Sequence, residues 1–305
     1  MSLWLLSAEE SNNSLTNNFF SAIGQARANL CTIFKRYYIK PNKSMHSSKI
    51  KPFVSILLLL LLAMKPVDRK PTLYIIGDST VKNGKGDGSN GQWGWGSLLS
   101  SYFDTTRLSI ENHALGGAST RTYITKGLWD NVLNRIQTGD YLMMQFGHND
   151  GSPLDDTARA RGTLKGIGEE QKEIYNPITK QQEVVYTYGW YLSKFIREAK
   201  AKGARVIVCS PIPRDRWEEN KIARDTDGYP KWAKEVAARE GATFIPLHDL
   251  VADYYDQIGR EQVRAYFPDD HTHTDSEGAK KNAALLVEAI RKVPKMGLKK
   301  FIKRK

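Results

Sequence analysis

Residues 71–293 predict a three-layer αβα domain with a parallel sheet at its centre. Short apolar runs rich in β-branched residues alternate there with longer stretches of helical period. A strand that is apolar along its whole length is covered on both faces, and strands separated by helices pair in parallel. The 305-residue chain, 40% hydrophobic, buries a large core without help from disulfides or metal.

The first strand is expected at residues 72–77, where TLYIIG ends on a glycine before a polar turn. A helix at 95–103 follows from Trp95, Leu98, Leu99 and Tyr102, which share one face at 3.6 residues per turn. The second strand, 108–112, is short. The next helix, 128–136, spaces Trp129, Val132 and Ile136 in the same way, and 141–147 (YLMMQFG) is the third strand. Tyr188, Leu192, Phe195 and Ala199 mark a helix at 188–202, ahead of the strand at 205–210. Pro230 stands in the first turn of a helix at 229–240, where proline is tolerated. A last strand at 243–246 precedes helices at 250–258 and 276–292, the latter with Asp275-Ser276 as its cap.

The flanks carry the charge. The net charge is +12, but residues 71–290 hold 27 Lys/Arg against 30 Asp/Glu, so the folded part has no basic surplus. Nucleic-acid binding needs that surplus on the folded surface and is not expected. Residues 53–64 (FVSILLLLLLAM) form an apolar run behind Lys49 and Lys51. It falls short of the roughly 20 residues a bilayer span needs and fits the hydrophobic part of a signal peptide. With Met45 just ahead of it, residues 1–44 are expected to be a disordered upstream extension or a misassigned start, and 45–70 a signal peptide with a short linker. A secreted or periplasmic protein follows, with no stable membrane insertion after signal removal; a membrane anchor is the competing outcome. Residues 294–305 form a basic tail, read as a solvated helix end and only secondly as an anchor for a polyanion. Cys209, in an apolar strand, is expected to be a buried inert thiol.

In such sheets ligands bind at the carboxyl ends of the strands, and the segments there are unusual. Gly77-Asp78-Ser79-Thr80 follows the first strand and points a serine hydroxyl into the crevice. Asn112-His113-Ala114-Leu115-Gly116-Gly117 follows the second and brings a backbone N–H close to any ligand; Gly147-His148-Asn149-Asp150 follows the third and adds an amide donor. Asp269-Asp270-His271-Thr272-His273 leads into the last helix. Each segment alone is no more than a turn or a cap. Together they fit a serine made nucleophilic by a histidine that a carboxylate orients. Ser79 is the expected nucleophile, ahead of Ser119 and Ser210; His273 is the base, and Asp270 stands three residues before it. The Ser79 and Gly117 N–H groups and the Asn149 side chain are the expected oxyanion donors. No G-x-S-x-G elbow occurs, which disfavours the α/β-hydrolase arrangement.

GDST, NxxxGG, GHND and DxxH, in that order over residues 77–273, resemble the four blocks of the SGNH (GDSL) hydrolase family. That resemblance implies a flavodoxin-like α/β sandwich with a five-stranded parallel sheet. Within the family, GDST, DHTHT, Gly91-Gln92-Trp93-Gly94-Trp95-Gly96 and Ser210-Pro211-Ile212-Pro213-Arg214 are similar to rhamnogalacturonan acetylesterases. It implies removal of O-acetyl groups from an acetylated acidic polysaccharide, most naturally pectin rhamnogalacturonan. The protein is expected to be a monomer. Arg214, Trp93 and Trp217 are the expected substrate-binding residues; Trp95, Trp190 and Arg121 are weaker candidates, since large aromatics usually pack in the core. No apolar stretch in 71–290 offers a tunnel for a lipid tail, which favours a small acyl group.

Other esters within the same family, or a carbohydrate-binding protein without catalysis, are the alternatives. No cofactor and no metal are expected. Asp269, Asp270, His271 and His273 lie within five consecutive residues and cannot readily surround one ion, and no H-E-x-x-H or cysteine cluster completes a site.

Overall fold

The computed structural model describes residues 69–293 and 296–304. The expectations for residues 1–68 lie outside the described residues. Along the chain, β1 (Thr72–Gly77), β2 (Ser109–Asn112) and β3 (Tyr141–Gln145) come first. A hairpin of β4 (Gln171–Asn176) and β5 (Gln181–Tyr186) follows, then β6 (Arg205–Cys209), a two-residue ribbon of β7 (Trp217–Glu218) and β8 (Lys221–Ile222), and β9 (Thr243–Ile245). The helices are α1 (Thr120–Thr125), α2 (Leu128–Leu133), α3 (Tyr188–Ala201), α4 (Tyr229–Arg239), α5 (Leu247–Ile258), α6 (Arg260–Arg264) and α7 (Ser276–Lys292).

Five strands make the expected parallel sheet, in the order β2-β1-β3-β6-β9. Successive side chains point to opposite faces, so each strand feeds two cores. Leu73, Ile75, Met143 and Ile207 pack with α5, α6 and α7 on one face; Tyr74, Ile76, Leu142, Met144, Val206 and Val208 pack with α1 to α4 on the other. The chain leaves β1 toward β2 on one side and crosses to β3 on the other. That reversal opens a crevice at the carboxyl ends of β1 and β3.

Several elements differ from the sequence expectation, among them α1, α6 and the β7/β8 ribbon, for which the sequence carried no signal. Residues Trp95–Tyr102 form a 3-10 helix, whose Trp95 is fully buried and donates its indole N–H to Gln145 Oε1 at 2.9 Å. The β4/β5 hairpin was not legible, because its exposed faces carry polar residues that leave no apolar alternation to detect. The basic tail is not a solvated helix end: Met296, Leu298, Phe301 and Ile302 join the core beside α7, while Lys299, Lys300, Lys303 and Arg304 face solvent. Charge in that stretch masked four apolar side chains. Asp275 caps α7 as expected, accepting from Gly278 N at 2.8 Å. Cys209 is buried, and burial pushes its thiol pKa up, away from reactivity. Among the described residues no helix is long and apolar enough to cross a membrane.

Candidate active site

Ser79 meets Asp270 and His273, which lie some 190 residues further along the chain, at the carboxyl end of β1. His273 Nε2 lies 2.8 Å from Ser79 Oγ, and its Nδ1 lies 2.7 Å from Asp270 Oδ2. Asp270 Oδ1 accepts from the backbone N–H groups of Thr272 at 2.6 Å and His273 at 2.8 Å, so the loop that carries His273 also fixes the Asp270 carboxylate. Partial burial pushes the Asp270 carboxyl up, but the His273 ring and these two N–H groups outweigh it and hold the pKa at about 2. Asp270 is therefore an anion throughout the neutral range, as a group that orients an imidazole and balances its charge must be.

The expected oxyanion donors surround the same cavity, of about 580 Å³, which Ser79, Gly117, Asn149 and His273 line. Gly117 sits at φ +75°, a left-handed conformation that glycine adopts without strain. Its carbonyl accepts from Arg161 Nη1 at 3.1 Å. Asn149 donates one amide hydrogen to the Ala118 carbonyl at 2.8 Å, so the amide is oriented and one N–H remains for a ligand.

Behind these residues lies a buried polar layer that the sequence did not disclose. Asp78 is fully buried and accepts from Thr80 N at 2.9 Å and Thr80 Oγ1 at 2.7 Å. Burial raises its pKa, but His148 and Thr80 more than compensate and leave it below the ordinary carboxylate value. Asp150, next to Asn149, reaches across to the start of α1, accepting from Thr120 N at 3.0 Å and Thr120 Oγ1 at 2.5 Å. Burial raises its pKa to about 7, and the negative charge of Asp78 adds to the rise, against the hydrogen bonds of Thr120. GHND thus contributes three functional neighbours, of which sequence reasoning singled out one. Arg161 and Ile178, the latter at the tip of the β4/β5 hairpin, also line the cavity and carry no motif.

The substrate-binding expectations divide. Arg214 lines the catalytic cavity and donates to the His148 carbonyl at 3.2 Å. Trp93 and Trp217 line neither of the two principal cavities. Trp93 pairs through its backbone with Thr274, fastening the loop after β1 to the His273 segment. Trp217 packs against the core, with its indole N–H on Asp215 Oδ1 at 2.8 Å and Arg260 over its ring at 5.4 Å. The Trp93 backbone and the Trp217 indole each hold a loop in place. Arg121 is fully buried in a bidentate pair with Glu183 and is structural, and Trp190 stacks on Tyr186 at 3.9 Å. His271 points away from the serine, with Nε2 at 2.9 Å from Arg216.

The same architecture recurs in known proteins. The model of the GDSL-like lipase/acylhydrolase family matches residues 75–281. A rhamnogalacturonan acetylesterase of Emericella nidulans is 30% identical over 230 residues, 75% of this chain and 88% of that protein. A rhamnogalacturonan acetylesterase of Bacillus subtilis is 30% identical over 241 residues, covering 73% of this chain and 90% of its own length. The crystal structure of the Bacillus subtilis protein YxiM superposes with a TM-score of 0.59 at 28% identity, over 73% of this chain and 57% of that one. This chain therefore spans little more than half of that larger protein.

Proposed function

The chain belongs to the GDSL-like lipase/acylhydrolase family, and from that premise we propose that it removes O-acetyl groups from an acetylated polysaccharide, with rhamnogalacturonan as the preferred chain. It is a carboxylic ester hydrolase. The observation that carries the reading is the pair of short contacts from His273, 2.8 Å to Ser79 Oγ and 2.7 Å to Asp270.

Ser79 Oγ attacks the acetyl carbonyl carbon while His273 Nε2 takes its proton. Charge builds on the carbonyl oxygen, which the Ser79 and Gly117 N–H groups and the Asn149 amide receive. Loss of one such donor costs about 100- to 1000-fold in rate. The tetrahedral adduct collapses as His273 returns the proton to the departing sugar alkoxide, leaving acetyl-Ser79. Water, deprotonated by the same imidazole, releases acetate and restores the serine. Asp270 stabilises the imidazolium in both halves. The mixed polar lining of the cavity, with Gln92, Arg159 and Thr272, supports a small acyl group on a polar alcohol.

Acetate release from acetylated rhamnogalacturonan, compared with acetylated xylan and a long-chain ester, tests the substrate. A clear preference for the first is expected; comparable rates on all three overturn the polysaccharide assignment and leave an esterase of another small-ester specificity. A secreted or periplasmic location rests on the apolar run at residues 53–64. N-terminal sequencing of exported protein is expected to find a start between Ala63 and Pro71, and recovery of residues 53–64 in the membrane fraction overturns it.

A further inference from the structure

Beside the catalytic cavity lies a second one, of about 540 Å³, that shares His148 and Arg214 with it. That volume lies in the range of small-molecule sites. Three of the residues that line it each bury a polar atom without a hydrogen-bond partner among the described residues: Arg214 Nε, the Tyr229 hydroxyl and His248 Nε2. Buried polar groups in native proteins are rarely left unpaired, and each costs free energy until a partner arrives. Three on one wall point to a ligand.

Their chemistry specifies it. Arg214 Nε is a donor only. His248 donates Nδ1–H to the Pro211 carbonyl at 2.9 Å, which leaves Nε2 as an acceptor on a neutral ring. Burial, which lowers the His248 pKa, keeps the ring neutral. The Tyr229 hydroxyl serves in either sense. A carboxylate or phosphate has no proton for His248. Positive charge on the wall is also partly neutralised, since Arg224 is held by Asp253 and Asp256. Hydroxyl groups, each both donor and acceptor, meet the whole set, while Pro211, Ile212 and the Tyr229 ring provide apolar surface for the C–H face of a ring.

We propose that this cavity is a glycosyl subsite, which receives the sugar unit next to the acetylated one and pairs its hydroxyl groups with Arg214 Nε, Tyr229 and His248 Nε2. The inference rests on the polysaccharide reading of the catalytic site. It makes the enzyme a reader of at least two linked sugars.

The test compares kcat/KM on an acetylated disaccharide with that on the same acetylated monosaccharide. Wild-type protein is expected to favour the disaccharide by about tenfold or more, the effect of one or more well-made hydrogen bonds. Tyr229→Phe removes one partner. Gly151→Leu fills the mouth of the cavity, because a Cβ at Gly151 already stands 3.2 Å from the Tyr229 hydroxyl. In each variant the preference is expected to fall severalfold through KM, with thermal unfolding checked alongside. Equal turnover of the two sugars by the wild type, or an undiminished preference in both variants, overturns the subsite. Failure to hydrolyse either sugar ester, with an aryl acetate still cleaved, instead overturns the polysaccharide reading.

Discussion

Nδ1 of His148 stands 3.2 Å from Oδ2 of Asp78, directly behind the nucleophile's turn, while its Nε2 stands 3.0 Å from the Ile212 carbonyl. The ring therefore bridges a buried carboxylate and a backbone carbonyl through its two nitrogens. The result is a buried carboxylate–imidazole contact that fastens the Ser79 turn to the loop bearing Asn149 and to the strand end bearing Arg214. Asp78 is fully buried, and the His148 side chain is only 6% exposed.

Removing one partner of such a pair strands a buried charge. His148→Ala is expected to destabilise the fold by about 3–5 kcal/mol. Urea unfolding of His148→Ala, Asp78→Asn and the double variant measures the coupling. Strictly additive losses would show that the two groups do not interact.

The two histidines of DHTHT are expected to behave differently. His273→Ala should lower the rate by several orders of magnitude, as loss of a triad base does, whereas His271→Ala does far less damage. Asp270→Asn falls between them, because the ring keeps its place but loses its charge partner. Single-turnover acetate release orders the three, and a larger loss for His271→Ala refutes the base assignment. A serine-directed covalent inhibitor is expected on Ser79; Ser119, buried and capping α1 through Thr122, should stay unlabelled.

Asp150 makes stability pH-dependent in the neutral range. Its folded pKa of about 7 lies above the ordinary 3.8, so the folded state holds a proton that the unfolded chain has released. Stability from this group is full below about pH 4 and is lost as pH rises toward 7. Asp150→Asn keeps an oxygen for Thr120 and removes the titration, so its unfolding free energy should decline less than that of the wild type between pH 4.5 and 7.5. Asp270 has the opposite sign: its pKa of about 2 means its contribution is present above pH 4 and fades toward pH 2. Denaturant unfolding across both windows separates the two, and identical slopes for wild type and Asp150→Asn would refute the first.

The C-terminal segment is part of the core. Phe301 is 5% exposed, stacks edge-on with Tyr141 at 6.3 Å, and accepts from Asp104 N through its carbonyl at 2.8 Å. Phe301→Ala is expected to cost about 3–5 kcal/mol. Thermal unfolding checks it, and an unchanged midpoint would return the tail to solvent.

The sequence by itself determined the parallel αβα sheet, because fully covered strands must be apolar along their length and helices must show their period. It also singled out Ser79, Asp270 and His273, because Gly-Asp-Ser after the first strand and Asp270-x-x-His273 before the last helix are local patterns that fit a serine, histidine and carboxylate acting together. Only the tertiary structure decided what lies around them. Asp78, His148 and Asp150 form a buried polar layer from segments that each look like an ordinary turn, since burial and partner are properties of the packed chain. Trp93 and Trp217 resembled sugar platforms in sequence, yet one pairs its loop with Thr274 and the other packs on the core, because an indole serves either purpose and only its neighbours decide. Arg214, Tyr229 and His248 meet across a cavity although residues 214 to 248 carry no shared motif. Their common wall is made by where the ends of β6 and β9 and the start of α4 come together, and no spacing along a chain records that.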